Sequence, residues 1–360
     1  MKIKISIALL SAMILFYASC KDKDVIIGEE SPTPYTLETG NFPAPLINAD
    51  NPLTVEGVAL GRMLFYETML SKDGSQACAS CHIQKFAFSD TSRFSLGVRH
   101  LPGKRQAMGV FNMAWNTNEF FWDGRAHLLR DQSLKPIQDA LEMDETLENV
   151  IAKLSASNVY PEKFKAAFGT STINEKLISL ALEQFMNSIV SNNSKYDAFL
   201  KDSTVFTESE KRGYVLFNTE YNEFFPDKSG ADCAHCHGGY NFENDLYANN
   251  GLDNNANFKD SGRYKVTREV KDIAAFKIPS LRNIALTAPY MHDGRFKTLD
   301  EVVNHYNSEI KESNSLDQAL RATANTGLRL TEQDKMDLVA FLKTLSDNSL
   351  TTDRKYSSPF

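Results

Sequence analysis

Basic charge is in short supply. The 360 residues carry 39 Lys and Arg against 46 Asp and Glu, a net charge of -7. A phosphate-binding surface needs the opposite excess, so nucleic acid is excluded as a partner class. Long apolar runs are also scarce, because after Ala18 no segment is apolar enough to cross a bilayer. Period-two alternation never persists far enough to build a sheet. Cysteine is rare too: Cys20, Cys78, Cys81, Cys233 and Cys236 are all there are.

What is present starts with an export signal. Lys2 and Lys4 precede the apolar stretch Ile5–Ala18, and Ala18-Ser19-Cys20 follows. That stretch is too short for a spanning helix and is flanked as a secretory signal. Tyr17-Ala18-Ser19-Cys20 resembles a bacterial lipobox, which makes Cys20 the lipidated first residue of an exported, cell-envelope or periplasmic protein; a plain signal peptide is the alternative. Residues 1–20 are then signal, and the polar stretch 21–50, with Pro32 and Pro34, begins as a tether.

Helical signals dominate the rest. Thr54-Val55-Glu56 opens one helix, Asn174–Leu200 reads as a long one, and Thr331–Leu345 closes the pattern. Thr207 with Glu210 and Thr298 with Glu301 form capping boxes. The chain also repeats itself. Gly61-Arg62-Met63-Leu64-Phe65 precedes the first Cys pair, and Gly213-Tyr214-Val215-Leu216-Phe217 precedes the second. Asp123-Gly124-Arg125 follows one, and Asp293-Gly294-Arg295 follows the other. The expectation is all-α: two domains related by internal duplication, at 51–205 and 206–350.

Both cysteine pairs are CxxCH: Cys78-Ala79-Ser80-Cys81-His82 and Cys233-Ala234-His235-Cys236-His237. Two thiols three residues apart on a helical turn can each add to a haem vinyl group, and the next residue offers imidazole to the iron. A four-cysteine zinc site or redox-active pairs are the rivals. Neither explains a histidine after both pairs. Two covalent haem c groups are therefore expected, ligated by His82 and His237, which makes the two halves cytochrome-c-like haem domains.

Phe121-Trp122-Asp123-Gly124-Arg125 and the run from Leu281 to Gly294 resemble the bacterial dihaem cytochrome c peroxidase and MauG family, across roughly residues 52 to 347. The resemblance implies a peroxidase that reduces hydrogen peroxide with electrons from a small redox protein. A MauG-like oxidase or a non-catalytic electron-transfer cytochrome are the alternatives. It implies Trp122 as an electron relay, Gln132 as a haem-pocket residue and Glu142 as the catalytic carboxylate. Read alone, Glu142 is one exposed acid among several, and Trp122 is a core aromatic. His100 corresponds to a switchable ligand of the first haem, in a loop shorter than the family's, with a plain loop histidine as the alternative. His127 reads as a surface residue. At the second haem the register reaches Tyr306, the MauG-like distal ligand, with Met291 as the alternative. Phenolate ligation lowers a haem potential, whereas thioether raises it. The family also implies a calcium ion between the halves, although Gln106 stands where it has asparagine, and it often forms homodimers.

Overall fold

The computed structural model describes residues 32–360; Cys20 and the signal segment lie outside the described residues. Among the described residues no helix is long and apolar enough to cross a membrane. Residues Pro32–Phe360 form one compact unit. Its secondary structure is mainly helical, and its one two-stranded sheet pairs Tyr247–Ala248 with Phe276–Lys277 among the described residues.

Local chemistry sets the helix starts. The Thr54 hydroxyl accepts from the Gly57 N–H and opens helix Val55–Tyr66. Asn174 caps Glu175–Ser188, and reciprocal capping boxes open Glu208–Asn218 (Thr207, Glu210), Leu299–Asn304 (Thr298, Glu301) and Glu332–Lys343 (Thr331, Asp334). Each such cap is worth about 1 kcal/mol. The long helix expected over Asn174–Leu200 is instead two. The first ends at Ser188, and Ser194 with Asp197 makes a fresh capping box that starts Lys195–Leu200. Polar residues between them bond to other parts of the chain, which outcompetes helix continuation.

Two apolar clusters form around two helix crossings. Helix Val55–Tyr66 crosses Glu175–Ser188, burying Leu60, Leu64, Phe65 and Phe185. Helix Glu208–Asn218 crosses Glu332–Lys343, burying Phe217, Leu338 and Phe341. Both crossings depend on a glycine. A Cβ on Gly61 would collide with the Ala181 carbonyl, and one on Gly213 with the Asp337 carbonyl.

The clusters are laced together. Asn112 and Asn283 both adopt left-handed backbone conformations, with φ of 56° and 60°. Their N–H groups donate to the Ile189 and Leu345 carbonyls, and their side-chain oxygens accept from the Ser191 and Asp347 N–H groups, both at 2.8 Å. The two segments leaving the crossings meet there, Ser191 Oγ donating to Asp347 at 3.3 Å. Each then enters the opposite cluster. Tyr196 and Phe199 pack on the second, while Leu350 and Tyr356 are buried in the first. Full burial of a side chain such as Leu350 or Tyr356 contributes about 2 kcal/mol, which offsets the ordering cost of one or two residues of the segment. Core membership therefore crosses the boundary expected near residue 205.

Candidate active site

At the first site Cys78–Cys81 forms a single helical turn, with His82 as its C-terminal cap. His82 Nδ1 lies 3.0 Å from the Phe88 carbonyl oxygen. A carbonyl only accepts, so Nδ1 carries the proton and Nε2 is left with its lone pair. The turn that aims this carbonyl places Ala87 and Phe88 at φ of 51° and 57°. Burial holds the His82 imidazole below its ordinary pKa, which keeps it neutral and ligand-ready.

The second site repeats this geometry. Cys233–His235 forms a 3-10 turn, and His237 Nδ1 lies 3.2 Å from the carbonyl of Phe242, at φ 54°. Burial pushes His237 down to about 4. All four cysteines are unpaired. Burial pushes the Cys78 and Cys233 thiols up to about 12, and those of Cys81 and Cys236 to about 11. No group of three or more His, Cys, Asp or Glu side chains is arranged to hold a metal ion among the described residues. The four-cysteine zinc alternative needs thiolates converging on one point, and they do not converge. Separate neutral thiol pairs, each followed by a neutral imidazole, fit two thioether-linked haem groups.

Glu142 is half-buried near the first pair, close enough for its charge to raise the pKa of Cys78 and Cys81. Desolvation pushes its carboxyl up to about 7, helped by Asp139 and opposed by Arg125. Its backbone is pinned, since Val98 N–H donates to the Glu142 carbonyl at 2.8 Å and Glu142 N–H to Asp139 at 2.9 Å. Gln132 is half-buried on the turn Leu129–Ser133. His100 is exposed on the Leu96–Pro102 hairpin, at φ 56°, where it interacts with Asp73. His127 is also exposed.

Trp122 lines the cavity of the second pair. Its indole Nε1–H donates to the Gln106 carbonyl at 2.8 Å, and Gln106 N–H donates to the His292 carbonyl at 2.9 Å. The Gln106 side chain turns inward, donating to Ser89 Oγ at 2.9 Å and the Asp90 carbonyl at 3.2 Å. Next to Trp122, buried Asp123 pairs with Arg105 at 2.7 Å, and Arg105 also holds Asp260 at 2.7 Å.

A cavity of about 290 Å³ runs from Cys233, Cys236 and His237 to Trp122. Tyr306 and Met291 both line it, and both are held by one residue: Asn250 Nδ2 lies 3.3 Å from the Tyr306 hydroxyl and 3.3 Å from Met291 Sδ. Tyr306 lies on one turn of π-helix, His305–Glu309, and His305 Nε2 bonds the Asn250 carbonyl at 2.9 Å. Such turns often mark functional sites. Burial pushes the Tyr306 phenol up to about 12. His292 lines the cavity as well, stacked on Phe276 at 3.6 Å. Sequence reasoning missed Asn250, one asparagine in an Asn-rich loop with nothing local to mark it, and Arg105, which pairs only with residues distant in the chain.

A family model for di-haem cytochrome c peroxidase matches residues 55–205. The chain is 35% identical to the methylamine utilization protein MauG of Methylophilus methylotrophus, over 86% of this chain and 87% of that protein. It is 33% identical to the cytochrome c551 peroxidase of Nitrosomonas europaea, over 85% and 84%. Among solved structures, a MauG-like protein associated with microbial copper homeostasis matches with a TM-score of 0.81 at 31% identity, covering 90% of this chain and 99% of that one.

Proposed function

Because the chain belongs to the di-haem cytochrome c peroxidase family, we propose a division of labour between its two sites, arisen by duplication of one haem-binding half. The chain is an oxidoreductase acting on hydrogen peroxide. Peroxide is reduced at the site of Cys78, Cys81 and His82, where bound haem supplies the redox-active iron. Glu142 takes the proton from the near peroxide oxygen and returns it to the far one, so that water departs. Gln132 orients the peroxide. Over the whole reaction one peroxide, two electrons and two protons give two waters, counting the one that departs.

Electrons enter at the site of Cys233, Cys236 and His237 and cross by way of Trp122. The observation that carries the assignment is Glu142 beside the first cysteine pair, its backbone pinned on both sides and its carboxyl raised to about 7. For His100 to serve as a switchable ligand of a haem held there, its hairpin would have to swing inward from the exposed position near Asp73. Export, with Cys20 lipidated, places the enzyme in the cell envelope.

A second reading, a MauG-like oxidase acting on a protein or organic substrate, is favoured by Tyr306 lining the second cavity on its π-turn. Steady-state peroxide consumption, measured with a reduced small cytochrome and then with an aromatic organic donor, separates the two. Cytochrome-driven turnover supports the peroxidase, and turnover with the organic donor alone supports the oxidase.

Tyr306→Phe removes the phenol oxygen that Asn250 holds. Its expected outcome is a changed absorption and paramagnetic-resonance signature at the second haem with the first unaltered. Identical spectra would assign the distal position to Met291 or to no side chain.

A further inference from the structure

The turns that hold His82 and His237 lean on the other half of the molecule. In the second half, Tyr196 packs edge-on against Phe242, at 4.9 Å and 74°, and Phe242 is the residue whose carbonyl receives the His237 proton. Tyr196 arrives on the segment that leaves the first crossing. In the first half the roles reverse. Tyr356, on the segment that leaves the second crossing, packs edge-on against Phe88 at 6.4 Å and 82°, and the Phe88 carbonyl receives the His82 proton.

The segment carrying Tyr356 is firmly seated. Gln84, two residues after His82, donates to the Leu350 and Asp353 carbonyls at 3.0 and 2.8 Å. From helix Val55–Tyr66, Tyr66 Oη donates to the Tyr356 carbonyl at 2.7 Å and Arg62 Nε to the Ser357 carbonyl at 2.6 Å. The Val190 N–H donates to the Tyr356 hydroxyl at 3.1 Å. Leu350 is 1% exposed and Tyr356 2%.

We propose that Tyr356 is a positioning residue for the first haem, acting through Phe88 on the hydrogen bond that orients His82. Phe88 is bulky and left-handed at φ 57°, a conformation that persists only where the surroundings over-determine it. Phe65 and Tyr356 both pack edge-on with its ring, at 6.0 and 6.4 Å. Without Tyr356 the backbone relaxes, the carbonyl turns from Nδ1, and the imidazole loses both its fixed plane and the basicity that the bond confers.

This inference rests on haem attachment at Cys78 and Cys81, as given under Proposed function. The test uses the full haem-loaded chain bearing Tyr356→Ala. The iron–imidazole stretching band of the first haem should move to lower frequency in the ferrous protein, with the absorption of the second haem unchanged. The Phe88 amide, bonded to the Ile83 carbonyl, should exchange roughly tenfold faster. Tyr356→Phe keeps the ring and should restore both readouts. A folded Tyr356→Ala protein with unmoved band and exchange overturns the proposal. If that variant fails to fold, Gln84→Ala decides. It cuts two bonds to the segment without opening the core, and should give a smaller shift in the same direction; no shift overturns the proposal. Wild-type protein without haem on the Cys78–Cys81 peptide would instead bring down the functional reading itself.

Discussion

Glu142→Gln lowers peroxide turnover by about 10² to 10⁴-fold, the usual range for removing a positioned general acid–base group, while both haems stay attached. The amide matches the carboxyl in shape but can neither accept nor return a proton. The pH dependence gives a second readout. Desolvation and the nearby Asp139 raise the carboxyl from 4.5 to about 7. Below that pH it is already protonated and cannot take the peroxide proton. Wild-type turnover should therefore rise through neutrality, and the residual activity of Glu142→Gln should lose that limb. Stopped-flow peroxide consumption across pH checks both. An unchanged rate removes Glu142 from the chemistry and returns it to the surface acids.

Asp197→Ala should be strongly destabilising. Arg282, with a side chain only 1% exposed, makes two hydrogen bonds of 2.9 Å to Asp197. Removing the carboxylate strands a buried guanidinium, which costs about 3–5 kcal/mol, and also abolishes the capping box that starts Lys195–Leu200. Denaturant unfolding of the haem-loaded protein should show a loss of that size. Burial alone would raise the Asp197 carboxyl, but hydrogen bonds and charge from Arg282, with bonds from Ser194, hold it below the ordinary range. Its contribution is thus fully present above the unfolded Asp value of about 4 and is lost as pH falls through the lower folded value. Wild type should lose stability more steeply in acid than Asp197→Ala does. Equal acid profiles, or a loss under 1 kcal/mol, would show that water reaches the pair.

Features that depend on neighbours in sequence were legible before the structure. CxxCH spacing places thiols and imidazole on one turn, and caps such as Thr207 with Glu210 announce a helix start within four residues. The end of Glu175–Ser188 was harder to read, because its apolar spacing carries through Ile189 while Ser191 and Ser194 bond elsewhere. Long-range partners were not legible at all. Asn250 meets Met291 and Tyr306 across 41 and 56 residues, and Gln84 meets Asp353 across 269. No periodicity encodes such pairs. Trp122 and Glu142 were located by family resemblance rather than by their own surroundings; read alone, one looked like core and the other like solvent-facing acid.

The crossing at Ser191 and Asp347 also constrains the order in which the molecule can mature. Residues that pack behind Phe88, whose carbonyl holds His82, are synthesised after the whole second half, so the earlier CxxCH turn emerges long before its support exists. Thioether formation at Cys78 and Cys81 must proceed on an unfinished pocket or wait for it. A purification tag fused beside Ser357 would press on the older of the two centres, far away in sequence, before it disturbed the nearer one.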